Sequence, residues 1–492
     1  MRVATRTQQR LDCTPVSQVQ LNTHCRHEMI PFLRALQHIY SRPKLREQIL
    51  KLVAEDVNAH SSPDLGREGM TYWQILVLAS ARLELNSNYD ALQDLAENHR
   101  KLRHIMEVGD WQGDDEEPDF HWERIRDNVC LITPETLKKI NQLVVAEGHR
   151  LFPEAAEAVR GDGFVAETNI HYPTESSLIR DGIRKALEVA VLLAGLVGAS
   201  GWRQHEHLTR KVKKLARQCD RIANKKGPGY KERLKAPYGR LLEEAEKILD
   251  RAEALEHQAR RSGGAEERTA LVEKLAHYRG LTERVCDTAR RRVLEDEEVP
   301  NEEKLFSIFE PETQLFKRGK AGEPVQFGHL VFVVEDAVGF VCQYRILAKG
   351  EQERDIVVPE MRALQKWLRG KIKKASFDRG FHSPENQEEL SKIVEHVCLP
   401  MTGKNKSQRQ QEDASEEFHA SRQRHPGIES TIGALQSGNG LKRCRDHTHL
   451  GFERYIGLGV LGRNLHVLGK LLLAREDSEC PAASSKRQAI AA

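Results

Sequence analysis

Hydrophobic period switches three times along this chain, and the switches limit what it can fold into. From Met29, apolar residues recur at helical spacing (Met29, Phe32, Leu33, Leu36, Ile39, Tyr40). The pattern continues through Leu45, Ile49, Leu52, Val53 and Val57, then Trp73, Ile75, Leu76 and Leu78, then Leu92 and Leu95. Thr133-Pro134-Glu135 opens a further helix, with Thr as cap and Pro at the first position. At Arg160-Gly161-Asp162-Gly163-Phe164-Val165 a short strand pattern takes over and breaks at His171-Tyr172-Pro173. Helical stepping returns for 183–299, and strand character resumes beyond Pro300. A chain that starts a sheet, leaves it and comes back must complete that sheet by long-range pairing.

Inside the helical block, Leu208, Val212, Leu215, Cys219 and Ile222 step by four and three. The stepping resumes at Leu241, Ala245, Ile248, Ala252 and Leu255, and again at Leu271, Leu275 and Tyr278. Narrow apolar stripes with charged flanks predict antiparallel helices packed as a small bundle or coiled coil. The first of these helices carries Arg210, Lys211, Lys213, Lys214, Arg217 and Arg221 with few acids between them. Such a face suits phosphates, and a merely solvated face is the plainer reading.

Beyond Pro300 the expected strands are Phe306–Phe309 and a hairpin of Phe327–Val334 and Gly339–Leu347 around Glu335-Asp336-Ala337-Val338. A helix near Pro359–Leu368 precedes Ala375-Ser376-Phe377-Asp378-Arg379-Gly380, where an apolar lead-in runs into one acid and a turning Gly. A helix at Glu385–Ile393, a buried strand at Val394–Leu399, a helix start at Gly427–Leu435 and a last helix at Phe452–Leu473 follow. With the helical block removed, this is the order of an RNase H-like domain. That fold is an α/β mixed sheet flanked by helices, with acids on two adjacent strands and on a facing helix.

The acids in those places are Asp162, Asp378 and Glu429. Cutting a phosphodiester needs an activated water or hydroxyl and a stabilised leaving oxygen, which two Mg²⁺ about 3.5–4 Å apart supply. Mg²⁺ prefers hard oxygen ligands and keeps several waters, so a few carboxylates suffice to hold it. Each acid has a bland alternative: Asp162 as a turn residue between glycines, Asp378 as a partner of Arg379, Glu429 as a surface acid near a helix start. Glu167, Glu335, Asp336, Glu416 and Glu417 are the rival carboxylates. The run Asp114–Asp119 reads as a solvated acidic connector.

Composition removes some classes. The chain has 492 residues, enough for two or three domains, and 76 basic against 73 acidic residues leave a net charge of only +3. Only local clusters of charge can therefore point to a polyanion. Nine scattered Cys without a CxxC pair fit reduced thiols better than a disulfide framework or a zinc site. The N-terminus has Arg2, Arg6 and Arg10 but no apolar core, unlike a signal peptide. The longest apolar run, Val189–Ala199, is shorter than the ~20 residues of a membrane span. A soluble intracellular protein is expected. The helices carrying Trp73–Ala79 and Leu92–Ala96, joined at Asn86-Ser87-Asn88, suit a helix-turn-helix or a plain helical hairpin, and no base-reading set of side chains decides between them.

Three segments carry a family resemblance. Asp162-Gly-Phe-Val-Ala-Glu-Thr-Asn-Ile-His-Tyr-Pro-Thr-Glu-Ser-Ser-Leu178 is the first, and Phe377-Asp378-Arg379-Gly380-Phe381-His382-Ser383-Pro384-Glu385-Asn386 the second. The third is His425-Pro-Gly-Ile-Glu429-Ser-Thr-Ile-Gly-Ala-Leu435, with Gly440-Leu-Lys-Arg-Cys-Arg445, Phe452-Glu-Arg-Tyr455 and Arg463-Asn464-Leu465 after it. In this order they resemble bacterial insertion-sequence transposases of the DDE type, most nearly the ISNCY group, with kinship to the IS5 and IS1182 families. The likeness covers most of the chain beyond residue 30. Gly163 stands where these families often have Ser or Thr, Glu175 where Asp is frequent, and the Tyr-Arg-Glu-Lys pattern of the related IS4 group is not intact.

The resemblance implies Asp162, Asp378 and Glu429 as catalytic metal ligands for two Mg²⁺, with Mn²⁺ as a substitute. It implies cleavage at element ends and strand transfer into target double-stranded DNA, by a homo-oligomer in the bacterial cytoplasm. A metal nuclease that does not join strands and a non-catalytic, domesticated DNA-binding protein are the alternatives. Arg379, Arg424, Lys442, Arg443, Arg445, Lys211 and Lys214 are the candidate DNA contacts. The expected division is a flexible arm (1–28), a DNA-binding helical region (29–150), an RNase H-like domain (151–182 and 300–475), a helical insertion (183–299) and a disordered tail (476–492).

Overall fold

The computed structural model describes residues 2–6, 11–59, 69–110, 120–225, 227–261, 266–317, 324–401 and 415–479. The acidic connector Asp114–Asp119, residues 402–414 and the tail from 480 lie outside them. The elements are α1 (Met29–Tyr40), α2 (Pro43–Val57), α3 (Tyr72–Glu84), α4 (Tyr89–Asn98), α5 (Arg100–Ile105), α6 (Trp122–Val129), α7 (Pro134–Leu151) and β1 (Ala158–Glu167). Then come α8 (Glu175–Val197), α9 (His205–Lys225), α10 (Tyr230–Arg261), α11 (Glu266–Val293), β2 (Gln314–Lys317), β3 (Val325–Asp336) and β4 (Val341–Ile346). The chain ends with α12 (Glu353–Trp367), β5 (Lys374–Phe377), α13 (Pro384–Ser391), β6 (His396–Cys398), α14 (Glu416–Arg424), α15 (Gly427–Gly433) and α16 (His449–Glu479). The chain divides into two units, one of Met1–Glu167 with His329–Ala492, the other Thr168–Gly328.

In the first unit a helical N-terminal region adjoins a small mixed sheet. Thr71 and Gln74 close a reciprocal capping box that starts α3, and Asn86, at φ 47°, ends its run. Thr133 caps α7 by accepting from the Thr136 N–H at 3.2 Å. The stretch expected as a flexible arm includes Val16 and Val19, both buried in the core, and the Val3 carbonyl accepts from the Tyr72 N–H. The last helix, α16, is long and apolar enough to cross a membrane, yet most of it is buried against α1, α3 and α7. Its glycines allow this approach: a Cβ at Gly469 would come within 1.8 Å of the Pro31 carbonyl oxygen. Residues 476–479, expected in the disordered tail, form its final turn.

In the sheet, β3 pairs with β4 and with β1, β1 with β5, and β5 with β6. The β1–β5 and β5–β6 pairs are parallel and the β3–β4 pair is antiparallel. The expected hairpin is present, with its turn at 337–340 rather than at the expected 335–338.

The second unit is built on α8 to α11, whose apolar stripes form one core with Leu178, Ile183, Leu193, Leu241, Ile248 and Val285 inside it. Thr174 and Ser177 cap α8, and Gly182 lets α8 lie against Thr282 of α11. The unit therefore begins at Thr168, earlier than the expected boundary at 183. Phe306–Phe309 is not a strand: Ser307 Oγ accepts from the N–H groups of Phe309 and Glu310 at 3.1 Å, a local turn that competes with pairing. The strand is Gln314–Lys317, antiparallel to Val325–Gly328.

Candidate functional site

β1 and β5 run parallel with Gly161 opposite Phe377, so Asp162, the next residue of β1, and Asp378, the first residue after β5, each follow the last paired position. Asp162 lies within β1 rather than in a turn; its Oδ1 accepts from the Gly163 N–H at 2.7 Å. Asp378 is exposed where the chain leaves β5, and the turn Arg379–Phe381 follows it at once. Phe381 anchors that turn by packing on Phe332 and Phe377, with ring centroids at 5.5 and 5.7 Å. Two acids that each follow a paired position of adjacent parallel strands are a geometry that sequence separation conceals.

The glycines beside Asp162 are there for close approach, not for a turn. A Cβ at Gly161 would meet the Phe377 ring at 2.6 Å. A Cβ at Gly163 would collide with Oε1 of Glu353, at 1.6 Å. The half-buried Glu353, at the start of α12, thus sets a carboxylate against the backbone beside Asp162. Sequence reading missed this acid, because nothing in its own neighbourhood distinguishes it from a helix N-terminal acid.

Glu429 is exposed on α15, one helical turn after His425. His425 Nδ1 lies 3.2 Å from Ser376 Oγ on β5, two residues before Asp378. Glu429 follows four residues on, beyond the His425-Pro426 turn that leads into α15. Burial holds His425 below its usual pKa; Asp378 and Glu429 both push it back up, and Arg160 adds to the lowering. One imidazole therefore feels both acids, and Arg160 as well.

Arg160 ties β1 to this segment. Its Nη1 donates to the Arg424 carbonyl at 2.7 Å, and its guanidinium fills the space a Cβ at Gly427 would need. It also pairs with the fully buried Glu335, whose carboxyl is pushed up by burial against the pull of Thr431 and Arg160. Glu335 is thereby a counter-ion rather than a site carboxylate. Glu167, another rival, joins a parallel bridge to Arg443 and lies 3.5 Å from its guanidinium.

The candidate DNA contacts divide. Arg379, Arg424 and Lys442 are exposed, and Arg443 is exposed beside Glu167. Arg445 is engaged in the fold: it donates to the Tyr455 hydroxyl at 3.1 Å, and to the Asn86 carbonyl and side-chain oxygens at 3.2 and 2.8 Å. Lys211 and Lys214 are both exposed, and Lys211 is held by Glu244 at 2.6 Å.

Among the described residues, His149, Asp336 and Cys342 form the group of possible ligands whose donor atoms lie within 4.8 Å of one another, all buried; Asp162, Asp378 and Glu429 do not form such a group. Asp336 Oδ1 accepts from the N–H groups of Val338, Gly339 and Phe340, and its Oδ2 lies 2.7 Å from His149 Nε2. Full burial pushes the Cys342 thiol up, away from the thiolate a metal would take. The carboxylate's hydrogen bonds are spent on holding the β3–β4 turn.

No family model, curated protein or solved structure matches the chain.

Proposed function

We propose that the chain is a DNA transposase of the DDE type with an RNase H-like core, cleaving element ends and joining them to target DNA. The observation that carries this reading is the parallel register of β1 and β5, which makes Asp162 and Asp378 neighbours, with Glu429 acting on the same imidazole as Asp378. The pairing β4–β3–β1–β5–β6, with two parallel and one antiparallel pair established, supports the RNase H-like assignment.

The donor set fits hard divalent cations: carboxylate oxygens from β1, from the end of β5 and from one helix, with Glu353 held close by the missing side chain of Gly163. Asp162 and Asp378, each one residue beyond the paired positions of β1 and β5, would favour a cation between them. Bound Mg²⁺ would supply an activated oxygen nucleophile and a stabilised leaving oxygen. Asp162, Asp378 and Glu429 would hold it. Arg160 keeps the segment bearing Glu429 against β1, and Ser376 orients His425 behind it. Exposed Arg379, Arg424 and Lys442 would position phosphates without reading sequence. The cytoplasm is the compartment in which this chemistry would operate.

The test is Mg²⁺-dependent cleavage of the element's terminal DNA, identified from inverted repeats flanking the coding region. Asp378→Asn and Glu429→Gln should abolish cleavage while leaving the thermal midpoint near that of the parent. Unchanged cleavage by Asp378→Asn sinks the proposal. Cleavage without joining in a strand-transfer assay would favour a plain metal nuclease.

A further inference from the structure

We propose that the solvent face of α9 is a second surface for duplex DNA, gripping phosphates through Lys213, Lys214, Arg217 and Arg221. The helix divides cleanly. Val212, Ala216 and Cys219 are buried, with Leu208, Leu215, Ile222 and Ala223 packed against the same core. At about 100° per residue these seven fall on one arc of ~120°. Arg210, Lys213, Lys214, Arg217, Arg221 and Lys225 fall on the opposite arc of similar width, and all are exposed.

Charge pairing separates an active face from a decorative one. Lys211, at the edge of the arc, is neutralised by Glu244, and Arg210 has Glu206 at 3.6 Å. Among the described residues, Lys213, Lys214, Arg217 and Arg221 have no acidic partner within ion-pair distance. Asp220, the acid closest to them in sequence, is turned to Ser176, whose hydroxyl donates to it at 2.5 Å. Like charges three and four residues apart destabilise a helix, so the fold keeps this face cationic at a cost.

The shape excludes insertion into a lipid surface. An interfacial helix inserts its apolar side, and the apolar side of α9 is already committed to the core. A straight rod bearing cations from Arg210 to Lys225, about 22 Å at 1.5 Å per residue, matches a line of phosphates instead. The choice of DNA over RNA rests on the function proposed above. Lysine and arginine on phosphates carry no sequence information, so the surface should hold any duplex.

The experiment uses the full chain carrying Asp378→Asn, so that no cleavage intrudes, and a labelled 30-base-pair duplex of arbitrary sequence. Binding is followed by anisotropy between 50 and 200 mM NaCl. Each phosphate contact contributes about 0.9 to the slope of log K against log salt. The variant K213Q/K214Q/R217Q/R221Q should lower that slope by two to four and weaken binding at least tenfold at 100 mM salt, with helicity unchanged. A control with the same charge loss elsewhere, K247Q/K274Q/K366Q/K470Q, should move it by less than one.

Equal effects of the two variants, or an unchanged slope in the first, overturn the proposal. Tighter binding of an RNA duplex of the same length, lost in the same variant, overturns the choice of DNA. Failure of the catalytic reading would show separately, as absent end cleavage in the parent chain with duplex binding intact.

Discussion

Arg160 donates to the main-chain carbonyl of Arg424 at 2.7 Å, joining the strand that bears Asp162 to the helical segment that bears Glu429. The same guanidinium meets Glu335, which has no solvent exposure. Removing the cation alone leaves a buried carboxylate without its partner, which typically costs about 3–5 kcal/mol. Arg160→Met should therefore lower urea stability by that order, and R160M/E335Q should recover more than half of it. Equal stability of the single and double variants would show that the pair is not the source.

Gly163 leaves no room for a side chain beneath Glu353. Gly163→Ala should cost about 1–3 kcal/mol, the range for forcing an extra methyl into a packed site. Because the colliding group is the end of a flexible side chain, G163A/E353A should restore most of that loss. Thermal unfolding of the three variants decides it; a double variant no better than G163A would place the strain in the β1 backbone.

Acid should weaken the fold through His329. Its ring is buried against Phe452 and His449, with centroids at 4.5 and 5.9 Å. Burial first, and His449 second, hold its pKa down to about 4. Unfolded, a histidine titrates near 6.5, so between the two values the unfolded chain binds the extra proton. Stability then falls as pH drops from 6.5 towards 4 and levels off below, with a limiting contribution of roughly 3 kcal/mol. His329→Phe should flatten that part of the curve of thermal midpoint against pH, and an undiminished slope would assign it to other groups.

Asp336 should be structural. Its three N–H acceptances and its contact with His149 are the bonds that hold 337–340. Asp336→Ala should cost about 3 kcal/mol or more, since several buried donors lose their acceptor. Chelators should leave the thermal midpoint unchanged. A midpoint lowered by chelation and restored by Zn²⁺, in the parent but not in Cys342→Ser, would instead mark a metal site.

Much of the element order is legible in the sequence. The helices from Met29 to Leu151, the bundle in 205–293 and the hairpin of β3 and β4 follow from hydrophobic period and caps, which act within a few residues. Phe306–Phe309 misled because its aromatic run resembles a strand while Ser307 turns the backbone locally. Arg445 resembled a free cation, and only folding shows it bound to Asn86 and Tyr455. Glu353 was invisible as a site residue because its relation to Gly163 arises from packing between β1 and α12.

By itself, then, the sequence determined where helices and strands can form, which faces are apolar, and that acids stand at Asp162, Asp378 and Glu429. Those properties depend on local periodicity and side-chain chemistry. The tertiary structure decided which acids become neighbours, which cations are already neutralised and which glycines make room for another group. Parallel pairing of β1 with β5 joins residues 216 positions apart (378 − 162), and no local signal encodes a register that distant segments set together.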